Sequence, residues 1–111
     1  MKNNKSEKNI YELFESSDLP KTSSNILATI AKGRKLLVSE ITRRVKRSER
    51  AVRHHLSILM KKGFLSRKID ITRNKKLAYR YSLKPLGEIV KKLKQELVIK
   101  IHKLNKFIQG F

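Results

Sequence analysis

The sequence predicts a mainly helical fold that carries one β-hairpin and ends in a long helix. Three observations predict it. Apolar residues recur at spacings of three and four between residues 26 and 59. The period changes to two between residues 65 and 83, around a polar centre at 72–76. Helical spacing returns from residue 86 to residue 108. The chain has 111 residues, 39% of them hydrophobic. That is enough for one domain, or one domain with an appendage, and for a core of its own.

Each element has a local cause. Ile10, Leu13 and Phe14, with Tyr11, form a short helical stripe that can lie on the core. Asp18-Leu19-Pro20 reads as a helix start, because proline is tolerated in a first turn. Ile26, Leu27 and Ile30, with Ala31, then share a face, and Gly33 is expected to end the helix in the left-handed conformation. Leu36 and Leu37 supply a small strand or a plug for the core. Ser39 to Val45 is the next helix, with Ile41 and Val45 inward. Ser48 is a good N-cap, since its hydroxyl can accept from a free amide of the first turn. Val52, Leu56 and Leu59 are the buried stripe of the helix that follows. Lys61-Lys62-Gly63 ends it: two cations suit the negative terminus, Gly63 suits a left-handed cap, and Phe64 is its apolar follower.

Leu65, Arg67, Ile69 and Ile71 alternate with polar residues, as do Leu77, Tyr79, Tyr81 and Leu83. Two such runs around Thr72-Arg73-Asn74-Lys75-Lys76 make a hairpin with a basic tip. Tyr79 and Tyr81 are expected to pack on the core. Pro85 opens the last helix, which runs to about Ile108 and spans roughly 36 Å at ~1.5 Å per residue. Glu88/Lys92 and Glu96/Lys100 stand in the favourable i, i+4 order on its outer side.

Charge narrows the function. The chain has 28 Lys and Arg against 9 Asp and Glu, a formal net charge of +19. The first twenty residues are nearly neutral. Residues 43–80 hold 14 Lys and Arg against only Glu49 and Asp70, a balance of +12. Residues 84–111 hold seven Lys against Glu88 and Glu96, a balance of +5. Such a surface calls for a polyanion, and nucleic acid is the default. The absence of cysteine excludes disulfides, thiolate metal sites and thiol catalysis, and fits a reducing cytoplasm. No apolar run approaches the ~20 residues of a membrane span, and MKNNKSEKNI lacks a signal-type apolar stretch. The expected location is the cytoplasm, associated with the nucleoid. Gly33, Gly63, Gly87 and Gly110 are scattered, with no phosphate-loop motif. Asp18 and Asp70 lie apart, so no carboxylate pair is indicated. His54, His55 and His102 do not make a metal site, because adjacent histidines point to different helix faces. An enzyme is not expected, and no metal or cofactor is implied.

The short helix from Ser39, the tight turn and the capped helix from Ser48 make a helix-turn-helix, and the basic hairpin directly after it makes it winged. The run Ser48-Glu49-Arg50-Ala51-Val52-Arg53-His54-His55-Leu56, closing in Lys62-Gly63-Phe64-Leu65, resembles the recognition-helix signature of MarR/ArsR-type winged-helix regulators. Tyr79-Arg80-Tyr81-Ser82-Leu83 followed by Gly87 resembles the strand-to-helix passage of the same superfamily. The layout is similar to that of small archaeal, TrmB-like regulators, and the likeness covers Leu19–Leu104. The resemblance implies a winged helix-turn-helix with an α+β layout, DNA binding, and dimerisation through the long C-terminal helix. Leu37 and Lys84 stand where the family has hydroxyl caps. The cysteine pair of ArsR-type metal sensors is missing, so that sensing chemistry does not carry over.

Three regions follow: a tail and short helix (1–18), the winged helix-turn-helix (19–84) and a dimerisation helix (85–111). With Val52, Leu56 and Leu59 inward, Glu49, Arg50, Arg53, His54 and Ser57 project outward as candidate base contacts. Arginine can grip guanine O6 and N7 together. Glu49 can accept from cytosine N4 or repel phosphate. Arg43, Arg44, Lys46, Arg47 and Ser48 are candidate phosphate contacts. Arg73, Lys75 and Lys76 of the wing would reach the flanking minor groove. His55 is expected to be structural. Val90, Leu93, Leu97, Ile101, Leu104 and Ile108 step by three or four and are the candidate dimer seam. Double-stranded DNA and a second copy are the expected partners. A sequence-tolerant architectural protein, and less so an RNA- or protein-binding winged helix, are the alternatives.

Overall fold

Apolar spacing sets each element of the computed structural model, which describes residues 12–15 and 18–110. The expected contributions of Ile10 and Tyr11 lie outside the described residues. Residues 12–15 are helical and send Phe14 into the core, and the Ser24 hydroxyl donates to the Phe14 carbonyl at 3.2 Å. Helix α1 (Lys21–Gly33) follows Pro20 and buries Ile26, Leu27 and Ile30. Gly33 is not the left-handed residue expected of it. Arg34 takes that place at φ +72°, its amide bonded to the Ile30 carbonyl at 2.7 Å. Glycine is needed at 33 for space instead: a Cβ there would lie 2.7 Å from the Leu36 side chain.

Strand β1 (Leu36–Leu37) is both strand and plug, since it pairs with the sheet and buries Leu36. Helix α2 (Val38–Val45) starts at Leu37 without a hydroxyl cap. Glu40 supplies the reciprocal half of a capping box alone: its carboxylate accepts the Leu37 amide at 3.0 Å. Helix α3 (Glu49–Lys62) buries Val52, Leu56 and Leu59. It ends at Gly63 in the left-handed region, φ +81°, with the Gly63 amide on Met60 (3.0 Å) and the Phe64 amide on Leu59 (3.1 Å).

Strands β2 (Leu65–Ile71) and β3 (Leu77–Leu83) form the hairpin, and the antiparallel sheet has the order β1-β3-β2. Its register sets Leu65 opposite Leu83, Arg67 opposite Tyr81, Ile69 opposite Tyr79 and Ile71 opposite Leu77. Only the inner end of that face is covered. Leu65 and Tyr81 are buried, whereas Ile69, Ile71 and Leu77 are exposed because the hairpin runs out past the core. The expectation that both tyrosines pack on the core holds for Tyr81 and fails for Tyr79, which lies on the projecting part.

Helix α4 (Leu86–Gln109) docks through Ile89, which is fully buried, and Leu93, which packs against the core. From Leu97 to Gly110 every residue is exposed, and the molecule reaches 62 Å along its longest axis. The two ion pairs expected along this helix are not formed. Glu96 turns to Lys62 of α3 at 3.2 Å, Lys100 turns to Asp18, and Lys92 lies along Gly63. Glu96 and Lys100 thus tie α4 to the body rather than to each other.

Candidate nucleic-acid interface

The turn between α2 and α3 is set by Lys46, in the left-handed region at φ +56°, with its amide on the Thr42 carbonyl at 3.0 Å. The Ser48 hydroxyl then accepts the Ala51 amide at 3.1 Å and starts α3, as its N-cap character predicts. With one stripe of α3 in the core, Glu49, Arg50, Arg53, His54 and Ser57 are all exposed, on the side the sequence assigned them. Arg53 donates from Nη2 to Glu49 Oε1 at 2.9 Å, with both side chains more than half exposed. Such a pair contributes only ~0.3–0.5 kcal/mol, so either partner leaves it at small cost.

His55 is half-buried, and its Nδ1 lies 2.8 Å from the hydroxyl of the buried Ser23, which pins α3 to α1. Desolvation, then the neighbouring His54 and Arg47, hold its pKa below the ordinary histidine value of 6.5. His54 stands edge-on to it, with ring centroids 5.5 Å apart. Among the described residues no cluster of acidic or histidine side chains is placed to hold a metal ion.

Arg43, Lys46 and Arg47 are exposed around the turn. Arg44 is exposed too, but it lies over α1, in a cleft with Asn25 and Lys32 and beside Gly33. The Ser48 hydroxyl is committed to its cap.

The wing tip is closed by Thr72: its amide donates to the Lys76 carbonyl at 2.9 Å, and its carbonyl accepts the Lys75 amide at 2.9 Å. Lys75 takes φ +57°, and Arg73, Lys75 and Lys76 all stand exposed on this loop. The wing is braced at its base by Arg80. That side chain donates to Asp70 across the hairpin at 2.5 Å and to Glu40 of α2 at 3.3 Å. The Arg80 hydrogen bond, with the Ile71 amide, holds the Asp70 carboxyl below its usual value.

One basic residue escaped the sequence reading. Arg67 stacks on the Tyr79 ring, 4.0 Å from its centroid, and reaches the Tyr81 hydroxyl at 3.5 Å. With Arg53, Ser57, Met60, Lys61 and Tyr81 it lines a cleft of about 260 Å³ between α3 and the hairpin. The signal was present: Arg67 is a cation at a position where the alternation calls for an apolar residue.

Residues 20–67, from the start of α1 into β2, match the profile of the bacterial regulatory protein, arsR family. No curated protein matches the chain. A possible transcriptional regulator from Methanosarcina mazei Go1 superposes with a TM-score of 0.74 at 13% identity, covering 94% of this chain and 87% of that one. The chain is a winged helix-turn-helix protein. MepR, a transcription regulator of the Staphylococcus aureus multidrug efflux pump MepA, shares the fold at a TM-score of 0.55 and 14% identity, with 98% and 78% of the two chains covered. FabT from Streptococcus pneumoniae, solved in complex with DNA, does so at 0.53 and 20%, with 85% and 63% covered. In winged-helix terms α2 and α3 are the helix-turn-helix, and β2–β3 the wing. Among the described residues no helix is long and apolar enough to cross a membrane.

Proposed function

We propose that this winged helix acts as a homodimeric regulator that places α3 in the major groove of double-stranded DNA and its wing at the adjacent minor groove. The observation that carries the reading is the split of α3. Val52, Leu56 and Leu59 are sealed in the core, while Arg50, Arg53, His54 and Ser57 face solvent beside a basic wing. A helix fits the major groove, and arginine there can take guanine O6 and N7 together. Arg43, Lys46 and Arg47 are placed to hold phosphates, which supply most affinity and no sequence reading. The position of Arg44 over α1 makes it a contact to the flanking backbone at most. Glu49 favours base reading over bare attraction, since a carboxylate on this face repels phosphate.

Dimerisation is the second part of the proposal. Leu97, Ile101, Leu104 and Ile108 share one side of the projecting half of α4 and are all exposed. A second α4 would cover this stripe as a helical seam. Leu93 is used by the chain's own core, and Val90 is half-buried, so these two sit at the inner edge of the seam. A two-fold pair would set the recognition helices ~34–36 Å apart on a pseudo-palindromic site. The regions 1–18, 19–84 and 85–111 thus divide into tail, reader and dimerisation helix. The location that goes with this role is the cytoplasm, at the nucleoid.

The net charge of +19 favours a second reading, a protein that coats DNA without regard to sequence. Selection from a random duplex pool, followed by titration of selected and random duplexes across salt, separates the two. A ratio of ~10³ or more supports the regulator, and a ratio near one at every salt supports the coating protein.

A further inference from the structure

Resting on the DNA-binding reading above, we propose that the outer half of one wing face, formed by Ile69, Ile71, Leu77 and Tyr79, is an apolar wedge that enters the minor groove and bends the duplex. The register pairs Ile69 with Tyr79 and Ile71 with Leu77, so the four side chains form one continuous patch. It is open to solvent: Ile69 is 61% exposed, Ile71 67% and Leu77 73%. The inner half of the same face is filled by Leu65 and Tyr81 in the core, and among the described residues no element covers the rest. Four apolar side chains together on a short hairpin of so basic a chain are not solubilising, and the core does not need them.

The surroundings identify the occupant. At Arg67 this face opens into the cleft shared with Arg53, Ser57 and Lys61, so it looks toward the exposed side of α3. A duplex lying on α3 would meet this face. The patch is bordered by cations on both ends: Arg67 and Lys61 on the inner side, Arg73, Lys75 and Lys76 at the tip. The only acid of the hairpin, Asp70, is on the opposite face and held by Arg80. A cation rim around an apolar centre repels a second copy of this basic chain. It matches a minor groove, whose deoxyribose walls are apolar and whose edges are phosphate. Aliphatic side chains pressed between base steps there unstack them and kink the helix toward the major groove, while the rim neutralises phosphates. Arg67, stacked on Tyr79, holds the inner edge of the wedge in place.

The test compares the wild-type chain with a variant carrying Ile71→Ser and Leu77→Ser, on an A·T-rich duplex of about 25 base pairs labelled at both ends for energy transfer. Both positions are exposed, so the variant folds with an unchanged melting temperature. The wedge predicts that the wild type shortens the end-to-end distance. It also predicts that the variant leaves the duplex straight and binds about ten-fold more weakly with the same salt slope. A wild-type complex that is straight, or a variant that bends as much, overturns it. So does a change in oligomeric mass between the two proteins, which would make the face a contact between copies. Failure of the wild type to bind any duplex would overturn the DNA-binding reading itself, and the wedge with it.

Discussion

Arg53 Nη2 stands 2.9 Å from Glu49 Oε1, one turn away on the exposed side of α3. The pair sets a tension between attraction and discrimination. Arg53 leaves this exposed pair at small cost, while the Glu49 carboxylate repels any anion nearby. Arg53→Ala should lower affinity for the selected site by ~1–3 kcal/mol and affinity for random duplex by less. Glu49→Gln should raise random-duplex affinity and narrow the ratio. Titrations at matched salt read both. Equal losses on both duplexes for Arg53→Ala would reduce that residue to a phosphate contact.

The exposed stripe on α4 leads to a second prediction. Replacing Leu97 and Ile101 together by Lys should yield monomers in light scattering and collapse binding to a two-fold site. Neither side chain contributes to the core, so the melting of the winged helix itself should survive. An unchanged dimer mass would refute the seam.

Arg80 joins three elements through Asp70, Glu40 and the main chain of Lys35. Its ion pairs are partly exposed, and solvent screening limits each to under ~1 kcal/mol. Arg80→Met should therefore lower the melting temperature by only about 4–8 °C. The larger effect should be on the wing, which loses its brace to α2. Faster amide exchange in β2 and β3, with α3 unchanged, is the expected pattern.

Much of this architecture is legible in the sequence because it is periodic. The stripe Val52, Leu56, Leu59, the cap at Ser48 and the stop at Gly63 are local signals, and each lies where local physics puts it. The errors arise where a long-range contact decides. Nothing local says that Leu36 packs where a Cβ of residue 33 would lie, or that Arg34 takes the positive φ. Glu96 and Lys100 are perfect i, i+4 partners on paper, yet Lys62 and Asp18 lie closer to them in space. Alternation in β2 and β3 reports a strand but not where the core stops, so Tyr79 and Tyr81 look alike in sequence and differ in burial. The exposed side of α3 is legible for the same reason: it is fixed once the buried side is known. The oddity of Arg67 is visible in the alternation, but its partner, Tyr79, is on the other strand and only the fold joins them.

Desolvation of His55, with the neighbouring His54 and Arg47, makes stability depend on pH. The folded-state pKa of His55 is held below its unfolded value of 6.5, so the unfolded chain takes up the proton first. The contribution is intact above that value and declines as pH falls through and below it. Thermal melts between about pH 7 and about pH 5 should show a falling melting temperature. His55→Asn, which keeps a polar group for Ser23 and cannot take a proton, should flatten that decline. A variant that loses stability as steeply as the wild type would contradict this assignment.

The central claim is that the exposed side of α3 reads base edges in a major groove. Replacing guanine by 7-deazaguanine in the selected site removes N7 and leaves phosphates, pairing and minor groove intact. The account predicts a loss of ~1 kcal/mol or more at one or two positions per half-site, which disappears for Arg53→Ala or Arg50→Ala. Full affinity for a site in which every guanine has been replaced would contradict it.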